Sequence, residues 1–356
     1  MDRSAQNSGT SAVREAHRFD LAALEAWMAR EVEYYAGPLQ VEQFRGGQSN
    51  PTYKLTTPAR NYVLRRKPPG KLLSGAHAVD REYRVITALG DQGFAVARSY
   101  GLCLDETVIG TPFYVMEMVD GRIFWDVAFP EVAAADRPAY FDAMNAAIAQ
   151  LHLIDPDAVG LGDYGKPGNY FARQIARWSK QYAEDREAGR VAAMDRLVEW
   201  LPANLPPDEP RPRIIHGDFR CDNMIFHESE PRVLAVLDWE LSTLGHPLAD
   251  FSYHLMMYRM PAGITTGLAG RDLAALNIPG EGDYVAAYCR RTGRDGIADL
   301  DFYMAFNLFR LAGIVHGIKG RVVRGTAASA HAASMAASLE PLADLAWEQA
   351  QRAGAR

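Results

Sequence analysis

This sequence of 356 residues lacks long apolar runs, an excess of positive charge and a cysteine framework. No hydrophobic stretch approaches the ~20 residues that a membrane-spanning helix needs, which argues against a membrane protein. The net charge is −6, whereas a nucleic-acid binder usually carries a basic face. The three cysteines are far apart without C-x-x-C spacing, a pattern typical of reduced thiols. These absences predict a cytoplasmic protein that binds neither membranes nor nucleic acids.

The composition that remains is ordinary for a globular chain, with 48% hydrophobic and 23% charged residues. The first 12 residues are rich in Ser, Gln, Asn and Gly and contain no hydrophobic segment. We therefore expect a disordered tail over residues 1–15, and not a signal peptide.

Hydrophobic periodicity divides the rest of the chain into a β-rich part and a helical part. Alternating or β-branched segments predict strands at Val41–Phe44, Thr52–Leu55, Asn61–Arg65 and Phe113–Met116, with a helix at Asp80–Leu89. Helical spacing follows at Tyr140–His152, Tyr170–Tyr182, Val191–Leu201 and Phe302–Ile318. We predict an α+β fold with an N-terminal lobe over residues 16–118, ending in a hinge, and a C-terminal helical lobe over residues 119–356.

The strongest chemical signal is His216-Gly-Asp218-x-x-x-x-Asn223, followed twenty residues after Asp218 by Asp238. Both parts come directly after a short apolar run. Phosphoryl transfer needs a group that accepts the proton of the attacking hydroxyl, and divalent metal that neutralises phosphate charge. The motif supplies Asp218 as base, with Asn223 and Asp238 as the oxygen ligands that Mg²⁺ prefers.

Two further residues of this motif have predicted roles beside the base. Arg220 could reach the transferred phosphoryl group and offset its charge, and His216 would orient the loop. The alternative is a turn whose carboxylates only cap backbone amides. Asp250 likewise has two readings: a buried acceptor for the amides of the catalytic loop, or a helix N-cap.

The order of β-rich lobe, crossover strand, motif and later aspartate resembles the aminoglycoside phosphotransferase and choline kinase-like family. The resemblance covers roughly residues 20–330. It implies the bilobal protein-kinase-like fold, with ATP and Mg²⁺ as cofactors. Residues 213–226 and 233–255 most resemble the kinase-like domain fused to some eukaryotic acyl-CoA dehydrogenases.

The resemblance also implies a nucleotide site in the N-terminal lobe. The loop between the first two strands would bring backbone amides to the phosphates through Gly46, Gly47, Ser49 and Asn50. Arg65 stands where protein kinases have a lysine, and Glu82 matches the helix glutamate that pairs with it. Glu117 and Met118 fit the hinge whose backbone binds the base of the nucleotide. The alternatives without a binding role are a hairpin turn for the glycines and an exposed helix carboxylate for Glu82.

The acceptor molecule is less determined. Residues 302–327 carry five basic or histidine side chains without one Asp or Glu, namely Arg310, His316, Lys319, Arg321 and Arg324. This stretch indicates either an anionic substrate or a solvated helix end. The predicted activity is phosphorylation of a hydroxyl on a small metabolite, for which the resemblance implies a hydroxyacyl-type acceptor. The alternative is a catalytically silent kinase-fold protein that binds a nucleotide or metabolite, and the oligomeric state stays open.

Overall fold

The computed structural model describes residues 9–45, 50–70, 77–166, 168–262, 267–327 and 332–356. The chain divides into two compact units, and each is made of segments that are separate in sequence. Unit 1 comprises Met1–Trp125, Asp157–Leu161 and Arg220–Ser242. Unit 2 comprises Asp126–Pro156, Gly162–Phe219 and Thr243–Arg356.

Strands and helices both contribute, which confirms the predicted α+β class. The strands are β1 (Thr10–Ser11), β2 (Gln40–Phe44), β3 (Thr52–Thr56), β4 (Asn61–Arg66), β5 (Ser99–Cys103), β6 (Phe113–Glu117), β7 (Arg213–Ile215), β8 (Met224–Phe226), β9 (Val233–Val236) and β10 (Thr243–Gly245). The helices are α1 (Leu21–Glu31), α2 (Val79–Gly90), α3 (Glu106–Ile109), α4 (Arg137–Leu153), α5 (Tyr170–Glu184), α6 (Ala192–Ala203), α7 (Pro247–Arg259), α8 (Glu281–Thr292), α9 (Leu300–Val323), α10 (Ala332–Ala336) and α11 (Leu339–Arg352).

Unit 1 is built on an antiparallel sheet with the strand order β1-β2-β3-β4-β6-β5. Alternate side chains of β3 are buried, among them Tyr53 and Leu55, as its period of two requires. They join Trp27 and Met28 of α1 and Phe113 of β6 in one hydrophobic cluster. The sheet therefore has one face that packs on α1, and β4 lies in its interior between β3 and β6.

The β8–β9 hairpin belongs to unit 1, although it comes much later in the chain. Val236 donates a backbone hydrogen bond to the carbonyl of Ala95 at 2.8 Å, and Arg122 exchanges two such bonds with Phe226, also at 2.8 Å. A Cβ atom at Gly121 would lie 2.3 Å from the carbonyl oxygen of Phe226, so only glycine permits this approach.

Unit 2 is predominantly helical, with the small β7–β10 ladder beside residues 216–219, the predicted catalytic loop. Helix α7 is buried on nearly all sides, since eleven of its thirteen residues are buried. Helix α9 is also largely buried, and Asn307 on it donates hydrogen bonds to the carbonyl of Ala249 at 2.9 Å and to the hydroxyl of Ser252 at 2.8 Å. These two central helices position the catalytic loop.

Several predictions made from the sequence can be compared with these elements. The predicted strands and helices are confirmed, whereas α7, α8, α11 and β5 were not predicted. Within the predicted tail, residues 1–8 lie outside the described residues, and Thr10–Ser11 pairs with β2. Residues 119–125 and 220–242, predicted in the C-terminal lobe, lie in unit 1 because of the backbone contacts of the β8–β9 hairpin. The lobe boundary at residue 118 stays a prediction.

Across the described part of the chain, no helix combines the length and apolar character needed to span a membrane.

Arg259 at the end of α7 forms hydrogen bonds to three other helices, and its removal should lower the stability of the fold. It donates to Glu281 of α8 at 2.7 Å, to Asp301 of α9, and to the side-chain oxygen of Gln349 on α11 at 2.5 Å. We expect Arg259→Met to lower the free energy of unfolding by about 2 kcal/mol, because it leaves two partly buried carboxylates without their cation. Urea unfolding followed by circular dichroism measures this.

Lys180→Met is the matched control in the same unit, since it removes one cation whose side chain is 74% exposed and 3.7 Å from Glu184. Its effect should stay below about 0.5 kcal/mol. Equal effects of the two substitutions would contradict a role for Arg259 in holding the helices together.

Candidate active site

The catalytic loop in unit 2 is held through its backbone. β7 leads into His216 and Gly217, and the carboxylate of Asp250 accepts both of their amide N–H groups at 2.8 Å. Gly217 has a φ of 84°, a left-handed conformation that glycine adopts without steric cost. The buried-acceptor interpretation of Asp250 is thereby confirmed. The N-cap interpretation is wrong, because His246 occupies that position of α7 and accepts from the amide of Leu248.

Asp250 is 1% exposed and also lies 3.3 Å from Nε2 of His152. Burial alone would raise the pKa of Asp250, but its hydrogen bonds from His152 and from the His216 amide hold that pKa below the ordinary value. Nδ1 of His152 is 2.8 Å from the hydroxyl of Tyr288. The carboxylate is thus an anion with fixed donors around it, and the loop backbone is fixed with it.

Asp218, the predicted base, follows directly on this anchored segment. Its amide donates to Nδ1 of His216 at 3.2 Å, and its Oδ1 accepts a hydrogen bond from the hydroxyl of Tyr253 at 2.6 Å. His216 is fully buried, with its ring edge-on to Phe219. The position of His216 fits the orienting role predicted for it.

Arg65 and Glu82 form the ion pair predicted in unit 1. Nε of Arg65 lies 2.8 Å from Oε2 of Glu82, and its Nη2 donates to Oδ1 of Asp238 at 2.6 Å and lies 3.7 Å from Glu240. Burial alone would lower the pKa of Arg65, but the negative charges of Glu82 and Asp238 raise it above its ordinary value. The neighbouring Arg66 points elsewhere and donates to Thr111, so Arg65 is the pairing cation.

Glu82 accepts hydrogen bonds from two side chains. Nδ2 of Asn50 donates to it at 2.7 Å and the hydroxyl of Tyr114 at 3.1 Å. Oδ1 of Asn50 lies 3.0 Å from Nδ1 of His77. The side chain of Asn50, predicted at the nucleotide, is therefore committed to holding Glu82. The other predicted loop residues, Gly46, Gly47 and Ser49, lie outside the described residues.

A cavity of about 390 Å³ lies within unit 1 and is lined by several predicted site residues. Arg65, Asn223 and Asp238 are among its polar lining residues, and Glu117 and Met118 of the predicted hinge line it as well. Apolar side chains from several strands, from α2 and from the connecting segments form much of the rest of the wall. The volume and mixed lining are those of a small-molecule site.

The predicted metal ligands are neighbours in this cavity. The amide of Leu237, next to Asp238, donates to the carbonyl of Asn223 at 2.8 Å. Asp238 has a φ of 64°, a left-handed conformation that aspartate tolerates better than most residues, and its side chain is 37% exposed. A carboxylate and an amide oxygen on the wall of one cavity fit Mg²⁺. The described residues contain no cluster of three or more His, Cys, Asp or Glu with metal-site geometry.

Two other predicted site residues have contacts that the sequence did not indicate. Nη2 of Arg220 pairs with Asp222 at 2.9 Å, and the guanidinium is about half exposed. The backbone N–H of Glu117 donates to the carbonyl of Arg98 at 2.8 Å, so this N–H does not read a base. Met118 keeps its predicted place on the cavity wall.

The basic stretch of residues 310–324 does not form one anion site. Arg310 is buried and donates to the carbonyl of Gly217 at 2.8 Å, His316 is 2.8 Å from the carbonyl of Gly189, and Arg324 pairs with Asp185 at 2.6 Å. Arg324, the C-cap of α9, follows Arg310 by fourteen positions, a rise of about 21 Å. The anionic-substrate interpretation of this stretch as a whole is therefore unsupported.

Two tyrosines at the site were not predicted for these roles. Tyr253 contacts the predicted base and Tyr114 contacts Glu82. The alternation of β6 places Tyr114 opposite Arg65 in the ladder, which is a signal in the sequence pattern once the register is known. Tyr253 had no such signal, because α7 is buried all round.

The chain is similar to known proteins along most of its length. The family model described as APH, phosphotransferase enzyme family, matches residues 40–303. Acyl-CoA dehydrogenase family member 11 of Gallus gallus is 43% identical over 352 residues, which cover 97% of this chain and 45% of that protein. The chain thus spans less than half the length of this relative.

Solved structures agree with this similarity. The crystal structure of a Ralstonia eutropha JMP134 protein, assigned as an aminoglycoside phosphotransferase, is 53% identical with a TM-score of 0.87, over 94% of this chain and 99% of that one. A thermostable mutant of the aminoglycoside phosphotransferase APH(4)-Ia, solved with ADP and hygromycin B, is 14% identical with a TM-score of 0.58, over 92% and 98% of the two chains. These likenesses confirm the predicted protein-kinase-like fold.

The charge of Asp250 should make the free energy of unfolding depend on pH. Asp250→Asn should lower the free energy of unfolding by about 2–3 kcal/mol at neutral pH, because an amide NH₂ replaces one acceptor oxygen of the loop amides. The pKa of Asp250 is held below its ordinary value in the folded chain, so its contribution is present above the unfolded value and disappears as pH falls through the folded value. The difference between wild type and variant should therefore shrink as the solution becomes acidic.

Urea unfolding at a series of pH values measures that difference. Asp142→Asn in the same unit is the control, since Asp142 is 61% exposed and pairs with Arg291 at the surface. A pH-independent loss of stability in Asp250→Asn would show that the charge of Asp250 is not what anchors the loop.

Proposed function

The chain belongs to the APH phosphotransferase enzyme family, and we propose that it transfers the γ-phosphoryl group of ATP to a hydroxyl group of a small metabolite. The observation that carries the proposal is the cavity in unit 1, where one buried cation and two oxygen ligands line a space of about 390 Å³. Similarity to a phosphotransferase solved with ADP supports nucleotide binding at this kind of fold.

Asp218 is the proposed general base. Its carboxylate accepts the proton of the acceptor hydroxyl as that oxygen bonds to the γ-phosphorus and the bond to the departing ADP breaks. The anchored backbone of His216 and Gly217 supports this role, since a base contributes most when its position is fixed before reaction.

Asn223 and Asp238 would hold Mg²⁺, which when bound neutralises phosphate charge. Arg65 faces three carboxylates, those of Glu82, Asp238 and Glu240. One cation facing three carboxylates leaves this group of side chains with a net negative charge, which favours a further cation beside Asp238. Arg65 itself contributes a fixed positive charge toward the phosphates, and Arg220 remains a proposed contact of the transferred group.

For the acceptor we propose an acyl compound that carries a hydroxyl group. The support is the 43% identity to an acyl-CoA dehydrogenase family member, in which a kinase unit beside a dehydrogenase unit would act on a related acyl substrate. A screen of hydroxylated metabolites, with hydroxyacyl-CoAs and aminoglycosides as separate groups, should show ADP release with the first group. We propose the cytoplasm as the compartment, since all three cysteines are buried and none forms a disulfide.

Replacing the base tests the reaction itself. Asp218→Asn should lower kcat by about 10²–10⁴-fold, because general-base catalysis typically contributes that factor, while ATP binding is retained. Steady-state ADP release and calorimetry of ATP binding measure the two quantities. Full activity of Asp218→Asn would remove Asp218 from the mechanism. Magnesium-dependent ATP binding by a wild-type chain without turnover on any acceptor would favour a silent binding protein.

Replacing a metal ligand tests the cavity. Asp238→Asn should weaken ATP binding in the presence of Mg²⁺ by about tenfold or more, and should reduce the difference between titrations with and without Mg²⁺. Asp105→Asn is the control, because it removes one carboxylate of unit 1 that caps α3 and does not line the cavity. If Asp238→Asn binds ATP with the metal dependence of the wild type, this carboxylate is not a metal ligand.

A further inference from the structure

Helix α7 contacts the catalytic loop with two side chains that lie one turn apart. Asp250 binds the amides of His216 and Gly217, and Tyr253, three residues later, donates its hydroxyl to Oδ1 of Asp218 at 2.6 Å. Residues three apart on a helix share a face. One face of α7 therefore holds both the backbone of the loop and the side chain of the base.

Arg310 of α9 contacts both the loop and Tyr253. Its Nη2 donates to the carbonyl of Gly217 at 2.8 Å, and its guanidinium carbon lies 5.1 Å from the centroid of the Tyr253 ring, within the range of a cation–π contact. Arg310 and Tyr253 are each 8% exposed. The guanidinium thus joins the loop carbonyl and the tyrosine ring in one buried arrangement.

The short hydrogen bond restricts a motion that aspartate otherwise has. The terminal torsion of an aspartate side chain is broad and roughly two-fold, so an unheld carboxylate presents its oxygens over a range of directions. A phenol whose ring is itself fixed holds Oδ1 and therefore the plane of the carboxylate.

We propose that Tyr253, held by Arg310, is a positioning residue for the catalytic base Asp218. The inference rests on the proposed function in one respect, the assignment of Asp218 as base. Tyr253 keeps its own proton throughout: the acceptor's proton passes to Asp218, the acceptor oxygen bonds to phosphorus, and ADP leaves.

Tyr253→Phe tests this role, since it removes the hydroxyl and keeps the ring for Arg310. We expect kcat to fall about tenfold, the scale of one charge-assisted hydrogen bond, while the KM for ATP stays within about twofold of the wild type because ATP makes the same contacts. The pH profile of kcat should change in this variant, because the carboxylate that accepts the proton loses its hydrogen bond from Tyr253.

Tyr258→Phe is the matched control on the same helix. Tyr258 is 7% exposed and donates to the carbonyl of Pro279 at 3.0 Å, so the substitution deletes one buried hydroxyl that does not contact the base. It should leave the pH profile in place. A fall in kcat with an unchanged pH profile, or the same change of profile in both variants, would reduce Tyr253 to a packing residue and overturn the inference. Higher turnover or a lower acceptor KM in Tyr253→Phe would mean that the phenol competes with the acceptor, and would also overturn it.

A second measurement does not need an acceptor. Hydrogen exchange of a peptide covering residues 213–219 should be faster in Tyr253→Phe than in wild type or Tyr258→Phe, because the hydroxyl helps to hold this loop. If the wild type shows no turnover but Tyr253→Phe still exchanges faster than wild type, the contact is retained and the proposed function is refuted. Unchanged exchange in Tyr253→Phe, whether or not turnover is found, refutes the positioning role.

Discussion

The buried carboxylate of Asp250 accepts hydrogen bonds from two consecutive backbone amides, and the geometry of the catalytic loop depends on this arrangement. A backbone amide that is buried without an acceptor costs free energy, so the loop adopts the conformation that brings both amides to one anion. The left-handed φ of Gly217 is the local condition for that conformation. Because His152 also contacts the carboxylate, α4 and α7 jointly hold the segment from which Asp218 projects.

In unit 1 a buried charged group is also satisfied by fixed partners, which here are side chains and not backbone amides. Arg65 sits in the interior of the sheet, where a lone cation would be strongly destabilised, and the charges of Glu82 and Asp238 compensate it. Asn50 and Tyr114 then satisfy Glu82 in turn. Charge and hydrogen bonding thus fix the direction of Arg65, which is the preorganisation that its proposed contact with phosphates would need.

The sequence predicted those parts of the molecule that have a strong period or a dense motif. Strand β3 alternates buried and partly exposed residues, and the eight-residue motif at Asp218 brings several functional groups together in sequence. Helix α7 was missed because a helix that is buried on all sides has no polar face and therefore no helical hydrophobic period. Tyr253 and Arg310 were missed as neighbours of the loop for a different reason. They come 35 and 93 positions after the residues they contact, and one sequence carries no signal for contacts over that separation.

The sequence pattern alone does not determine which of the consecutive basic residues at 65–67 pairs with Glu82, and the packing of the sheet does. Three successive basic residues follow β-favouring positions, and alternation alone allows more than one register. The ladder settles it by pairing Arg65 with Tyr114, on the side where Glu82 lies, whereas Arg66 binds Thr111 and lies 5.4 Å from the Phe19 ring centroid.

At Gly121 the chain passes against the carbonyl of Phe226 with no room for a methyl group. Phe226 ends the strand that begins directly after Asn223, and that strand pairs with the one that leads to Asp238. A side chain at position 121 would push on the main chain of this hairpin, which cannot rotate away as a flexible side chain does. The two proposed metal ligands would move together, and the wall of the cavity with them. A single added carbon atom at position 121 would therefore reach both proposed metal ligands through the main chain of the hairpin.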